Sequence, residues 1–279
     1  MLRVPSEIEP NQFESLKIQE LTFVAYRSDF YPSRNEVFFE ENAVIYVLEG
    51  KKRFSNPLEE VNVSKGDVVF IRRGFYLMSE SIDESYKSLV FFFDEKLIKD
   101  FVNQHLELFE KARKEQASTL LVLHGDETFG KFIASIFPYF KSKTKFLNHF
   151  LKLKLQELLL HLLAFDNSKH LLNVLKTIYL GEKEDLKYLM NNYYLKPLSM
   201  DELAKLSGRS LSTFKRDFKE QFSTSPATWI RNKRLDQAAF LLKNQSKSVA
   251  EVSEEIGFDS VSHFIKAFKE RFGKTPSKY

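Results

Sequence analysis

SLSTFKRDFKEQFSTSPATW, residues 210–229, returns fifty positions later as SVSHFIKAFKERFGKTPSKY, residues 260–279. Eight of the twenty positions are identical: Ser210/Ser260, Ser212/Ser262, Phe214/Phe264, Phe218/Phe268, Lys219/Lys269, Glu220/Glu270, Phe222/Phe272 and Pro226/Pro276. Trp229 meets Tyr279, aromatic for aromatic. Upstream the offset is 49, with Leu203 on Val252 and Gly208 on Gly257, so the second copy has one extra residue in its turn. Chance does not produce this; the segment is a duplicated unit.

Each copy reads as helix, tight turn, helix. In the first, Met200, Leu203, Ala204 and Leu206 form an apolar face, and Gly208 stands where the turn needs a permissive backbone. Ser210 is placed to cap the second helix, along which Phe214, Phe218 and Phe222 recur at i, i+4 and i+8 as one buried stripe. Val249, Val252 and Ile256, then Gly257-Phe258, Ser260 and the stripe Phe264, Phe268, Phe272 repeat the scheme. The two helix-turn-helix units fall at about 198–222 and 249–272.

A buried Phe stripe fixes what the opposite face carries. It holds Ser212, Lys215, Arg216 and Lys219 in the first unit, and Ser262, Lys266 and Lys269, flanked by Val261 and His263, in the second. A small polar residue near the helix start with a cation one turn on suits a major groove. Serine pairs with either kind of base, and Arg or Lys reaches the O6 and N7 acceptors of guanine. Lys219 and Lys269 lie a turn further along and are expected to meet phosphates, as are Thr213 and His263 near the helix starts. The bland alternative is an all-helical domain whose cations only keep it soluble; two copies preserving the same faces argue against it. Between the units, Ile230, Leu235, Ala238, Leu241 and Leu242 predict one connecting helix over Ile230–Lys243.

Working outward, residues 17–93 read as short β-type runs: Leu21–Tyr26, Ala43–Leu48, Val61–Val63, Val68–Ile71 and Leu89–Phe93. Glu49-Gly50, Asn56-Pro57, Lys65-Gly66-Asp67 and Arg73-Gly74 punctuate them, which predicts a sandwich or small barrel. The period turns helical over 95–165. Phe146, Phe150, Leu153, Leu158 and Leu162 mark a long helix expected to pack on the strands or pair with a second copy, and Pro138 marks a break before it. Mixed polarity and Gly181 put a boundary near 181/182. The fold class is therefore α+β with two domains, a strand-rich 1–181 with flanking helices and an all-α 182–279.

Composition agrees. A chain of 279 residues buries two cores, and its 28 phenylalanines fill them. With no cysteine, disulfides and thiolate metal sites are excluded. Net charge is only +4, yet Lys205–Lys247 holds 10 basic against 3 acidic side chains, a local invitation to a polyanion. No window has the length and apolarity of a membrane span, and residues 1–10 lack a signal-peptide core, so a soluble, cytoplasmic, nucleoid-associated protein is expected.

Over Leu186–Tyr279 the chain resembles the AraC/XylS family of bacterial transcription regulators. The carrying residues are Leu203-Ala204, Phe214, Phe218-Lys219, Pro226, Arg234-Leu235, Ala238, Leu241-Leu242, Val249, Val252, Ile256-Gly257-Phe258, Phe264, Phe268-Lys269, Phe272-Gly273 and Thr275–Tyr279. The resemblance implies a cupin-like barrel before the DNA-binding domain. It also implies activation through RNA polymerase, regulation by a small-molecule or protein effector, and a homodimer. By matched position it puts base reading on Ser212, Lys215 and Arg216 and on Val261, Ser262 and Lys266. Ser223 departs from the family's usual Gly, and Ser253 from a frequent Ala. Residues 45–50 and 66–74 resemble the barrel of activators governing type III secretion, which answer to a partner protein; Arg72-Arg73 also reads as a solvated turn.

A cupin oxygenase would need clustered His with a carboxylate. The six histidines (105, 124, 149, 161, 170, 263) lie outside the strand-rich stretch, with His161 and His170 the only pair expected to approach. Asp67 reads as hairpin punctuation, and no phosphate loop, nucleophile elbow or zinc spacing occurs. No catalytic residue, metal or cofactor is expected. A scaffold using its helices only for protein contacts is the other rival, separable by the salt dependence of DNA binding.

Overall fold

The computed structural model describes residues 1–8, 14–18, 21–28, 35–80, 85–113, 118–181, 183–245 and 247–279. The chain divides into two compact units, Met1–Glu182 and Lys183–Tyr279. Residue 182, where the sequence starts the second domain, lies outside the described residues.

The first unit holds β1 (Leu2–Val4), β2 (Glu14–Ile18), β3 (Leu21–Ser28), β4 (Asn35–Phe39), β5 (Asn42–Glu49), β6 (Lys51–Ser55), β7 (Glu60–Ser64), β8 (Asp67–Ile71), β9 (Gly74–Glu80) and β10 (Tyr86–Phe93). After these come α1 (Glu95–Gln104), β11 (Leu120–His124), α2 (Glu127–Ala134), α3 (Leu147–Phe165) and α4 (His170–Leu180). The strands form a five-stranded sheet, β1-β4-β9-β6-β7, and a six-stranded sheet, β11-β8-β5-β10-β3-β2. Apart from the parallel pair β1–β4, neighbours are antiparallel.

The six-stranded sheet is covered on both sides, which is why β8 and β10 read as unbroken apolar runs rather than alternating ones. Val24, Ile45, Val47, Val69, Val90 and Phe92 face one core with Val37, Phe39, Phe54 and Tyr76 of the other sheet. Phe23, Val44, Phe70, Leu89, Phe91 and Phe93 face a second core with Phe101, Phe129, Leu158, Leu162 and Leu171 of the helices. The expected strand-rich domain with flanking helices is present, but where a cupin-like barrel was expected the strands make two sheets. No strand pair closes them into a barrel among the described residues.

Three local expectations change. The stretch 95–165 is not helical throughout: Leu120–His124 pairs with β8, a run of four apolar residues and a histidine too short for its period to distinguish strand from helix. In α3, Leu151, Leu155, Leu158, Leu159 and Leu162 are buried, while Phe146, Phe150 and Leu153 are exposed. The helix is apolar on more than one face, so spacing alone did not show which stripe meets the sheet. Histidine also enters the strand region: His124 ends β11 with Nδ1 2.6 Å from Asp67 Oδ1. Pro138 opens a short 3-10 turn, Phe137–Lys141, before α3. His161 is packed on Phe129, Phe132 and Phe165, and His170 lies exposed at the start of α4. Arg73 is ion-paired with Glu95 at 2.8 Å. Between the sheets lies a cavity of about 520 Å³, lined by Val24, Phe39, Ile45, Lys52, Phe54 and Tyr86 among others.

Candidate nucleic-acid interface

The second unit contains α5 (Leu186–Tyr193), α6 (Met200–Leu206), α7 (Leu211–Phe222), α8 (Pro226–Asn244), α9 (Val249–Glu255) and α10 (Val261–Phe272). Serine begins every helix from α6 onward. Ser199 and Ser248 form capping boxes with Glu202 and Glu251. Ser210, Ser225 and Ser260 accept from the amides of Thr213, Thr228 and His263. Each cap satisfies a donor the first turn leaves over and contributes about 1 kcal/mol.

The Phe rows do what their spacing predicted. Phe214, Phe218, Phe264 and Phe268 are fully buried, while Phe222 and Phe272 are half-buried at the row ends. Trp229 closes the first row, 6.1 Å from Phe218 and 5.9 Å from Phe222. Tyr279 closes the second, 5.1 Å from Phe268 and 5.2 Å from Phe272. Each row therefore holds its helix against the unit by one face only.

The other face is open. Ser212, Lys215, Arg216 and Lys219 are exposed on α7, with Thr213 half-buried and its hydroxyl 3.0 Å from Ser210. On α10, Val261, Ser262, His263, Lys266 and Lys269 are all exposed. Ser212, Lys215, Arg216 and Lys219 thus share one face of α7, and Ser262, Lys266 and Lys269 one face of α10, with Val261 and His263 exposed to either side of it. Ser212 Oγ lies 3.1 Å from Ser210 Oγ, a contact a base would have to share.

Two residues have structural roles that the sequence did not assign, although Arg234 is among those that carry the resemblance. The first is Asp217, between Phe214 and Phe218 in the repeat but replaced by Ala267 in the second copy. Its Oδ2 accepts from Arg209 Nε at 3.1 Å and Lys183 Nζ at 3.3 Å, and its Oδ1 from Arg216 Nη2 at 3.0 Å. Arg209, then Arg216 and Lys183, hold its carboxyl down at about 2. The mismatch across an otherwise faithful repeat was the available signal.

The second is Arg234 of α8. Its Nε donates to Tyr194 O at 2.8 Å, Nη1 to Gly257 O at 2.6 Å and Nη2 to Lys196 O at 3.2 Å. One guanidinium ties the segment before α6 to the turn between α9 and α10, so both helix-turn-helix units are fixed on one rod. Burial lowers its pKa, a cost the three carbonyls offset. Gly257 has φ +74°, and a Cβ there would come within 3.1 Å of Arg234 Nη1. The turn needs glycine for both reasons.

Residues 42–174 match a family described as the ExsA N-terminal regulatory domain, and residues 203–279 match a helix-turn-helix domain family. The virulence regulon transcriptional activator VirF of Yersinia enterocolitica is 27% identical over 241 residues, 85% of this chain and 88% of that protein. The thermoregulatory protein LcrF of Yersinia pestis is 26% identical over 95% of this chain and 96% of its own. The HTH-type transcriptional regulator ExsA of Pseudomonas aeruginosa is 26% identical over 86% of each. Among solved structures, ToxT of Vibrio cholerae with bound unsaturated fatty acid is 18% identical over 93% of this chain and 94% of its own, with a TM-score of 0.42.

Proposed function

We propose that this chain, which belongs to the AraC/XylS family of transcription regulators, reads duplex DNA through α7 and α10 and activates transcription under control of its first unit. The observation that carries this is the doubled rod: two helices held by Phe rows, each leaving a Ser-plus-cation face exposed. Ser212, Lys215 and Arg216 of α7, and Val261, Ser262 and Lys266 of α10, meet base edges. Thr213, Lys219, His263 and Lys269 meet phosphates. Val261 contributes apolar contact, so α10 specifies fewer bases by hydrogen bonding. The 19 residues of α8 span roughly 28 Å at about 1.5 Å per residue. That length suits two readers set about one helical turn, roughly 34 Å, apart.

Activation is the role that the name of the Yersinia enterocolitica relative VirF states for that protein, and contact with RNA polymerase extends that reading to this one. The cavity between the sheets supports a small-molecule effector. Self-association is supported by the outward stripe Phe146, Phe150, Leu153 and Leu160, which repeats at coiled-coil spacing along α3. In this reading the protein is non-catalytic and works in the bacterial cytoplasm, on the nucleoid.

The test is footprinting on a duplex that the wild-type protein selects from a randomised pool. Arg216→Ala combined with Lys266→Ala abolishes specific protection, and wild-type binding weakens steeply as salt rises. Undiminished, sequence-specific protection by the double variant rejects the assignment.

A further inference from the structure

The two readers differ at one place where the repeat should make them alike. Arg216-Asp217 of α7 corresponds to Lys266-Ala267 of α10, so only the first unit has a carboxylate beside its reading cation. Both oxygens of that carboxylate are committed, and to different tasks. Oδ2 faces back, to Arg209 Nε at 3.1 Å and Lys183 Nζ at 3.3 Å. Arg209 is itself anchored, its side chain only 11% exposed and its Nη1 donating to Glu184 O at 2.9 Å and Ser207 O at 2.8 Å. Oδ1 faces forward, accepting from Nε (3.3 Å) and Nη2 (3.0 Å) of Arg216, whose side chain is 70% exposed.

We propose that Asp217 is a specificity-determining positioning residue, which relays the fixed Arg209 to Arg216 and makes the first unit the stringent reader of a guanine and the second the permissive one. This rests on the DNA-reading assignment above. Held by its Nε–Nη2 edge, Arg216 turns its end-on pair of N–H groups outward. Two parallel donors of that kind match the O6 and N7 acceptors of one guanine. An unsupported arginine would have to be ordered at the moment of binding; this one is ordered beforehand. The carboxylate also adds a negative charge close to the groove, which lowers affinity for DNA of any sequence and so leaves more of the net binding to the base contact. Lys266 has neither support nor a fork, and its ammonium acts as a point charge.

The experiment applies the full-length protein to a randomised duplex pool, sequences what is retained, and measures affinity for bulk random-sequence DNA separately. Four proteins are compared: wild type, Asp217→Asn, Arg216→Lys, and the two changes together. Asp217→Asn keeps shape and one acceptor oxygen, and the emission of Trp229 monitors folding. The expected result is a selected motif with one dominant guanine, whose preference falls by roughly five- to tenfold in either single variant and hardly further in the double. Affinity of Asp217→Asn for random DNA rises, which a residue serving only to stabilise the fold would not produce. Retention of the full guanine preference by Arg216→Lys, an exposed change that leaves the fold alone, overturns the proposal. So does a fall of specific and random binding together in Asp217→Asn. If wild type enriches no motif, the DNA-reading assignment itself fails, a different outcome from either.

Discussion

Replacing Arg234 by methionine keeps most of the aliphatic stem and deletes the guanidinium, so it isolates the three bonds to Tyr194, Gly257 and Lys196. The bonds at 2.6 and 2.8 Å are charge-assisted, and each contributes about 1.5–3 kcal/mol; the one at 3.2 Å adds less. Against these stands the burial cost of a half-buried cation, visible in its lowered pKa and removed by the change. Three backbone carbonyls also lose their donor, some of which water replaces. The net loss is about 3 kcal/mol. The chain's single tryptophan, Trp229, sits among the rings of Phe218 and Phe222, so its emission reports unfolding of the second unit alone. With a urea slope of about 1–1.5 kcal/mol per molar, the midpoint seen by Trp229 falls by roughly 2–3 M in Arg234→Met. A shift below about 0.5 M would refute the reasoning that this side chain clamps the two helix-turn-helix units.

Three further outcomes follow from particular residues. Ser223 ends α7 at φ +55°, where the second copy has Gly273 at +74°. Ser223→Gly should therefore raise stability by about 0.5–1 kcal/mol, and an unchanged or lower Trp229 midpoint contradicts this. Asp217 has its folded pKa depressed to about 2, first by Arg209, then by Arg216 and Lys183. Its contribution is thus whole above the ordinary 3.8 and lost as pH falls through about 2; a carboxyl carbon resonance that titrates near 4 in the folded protein would exclude the network. Phe150→Glu with Leu153→Glu places two charges on the exposed stripe of α3 and, under the proposed self-association, should shift sedimentation toward monomer, whereas an unaltered mass distribution removes that stripe from the proposal.

The second unit was legible because its information is local. Phe spacing, Ser caps and the glycines at 208 and 257 act within a few residues, and duplication reports each of them twice. The first unit was less so, for two physical reasons. A run such as Leu120–His124 becomes a strand only because β8 offers an edge fifty residues earlier, and nothing within the run records that. The leucines of α3 surround the helix, so the face that met the sheet depended on a partner surface rather than on periodicity. Arg234 and Asp217 were missed differently. Both are ordinary surface-type residues whose importance lies in partners distant in sequence: 23 to 40 positions away for Arg234, and 8 and 34 positions away for Asp217 in addition to its neighbour Arg216.

The double coverage of the six-stranded sheet has a consequence for synthesis. When β10 leaves the ribosome, Leu89, Phe91 and Phe93 have sheet neighbours but no helices over them. The covering helices end at Leu180, about 90 residues later, a delay of roughly 5–20 s at bacterial elongation speeds of about 5–20 residues per second. Through that interval the nascent chain presents a naked aromatic surface. Yield in a heterologous host should consequently depend on chaperone supply and on translation rate across 95–180, independently of how stable the finished protein is.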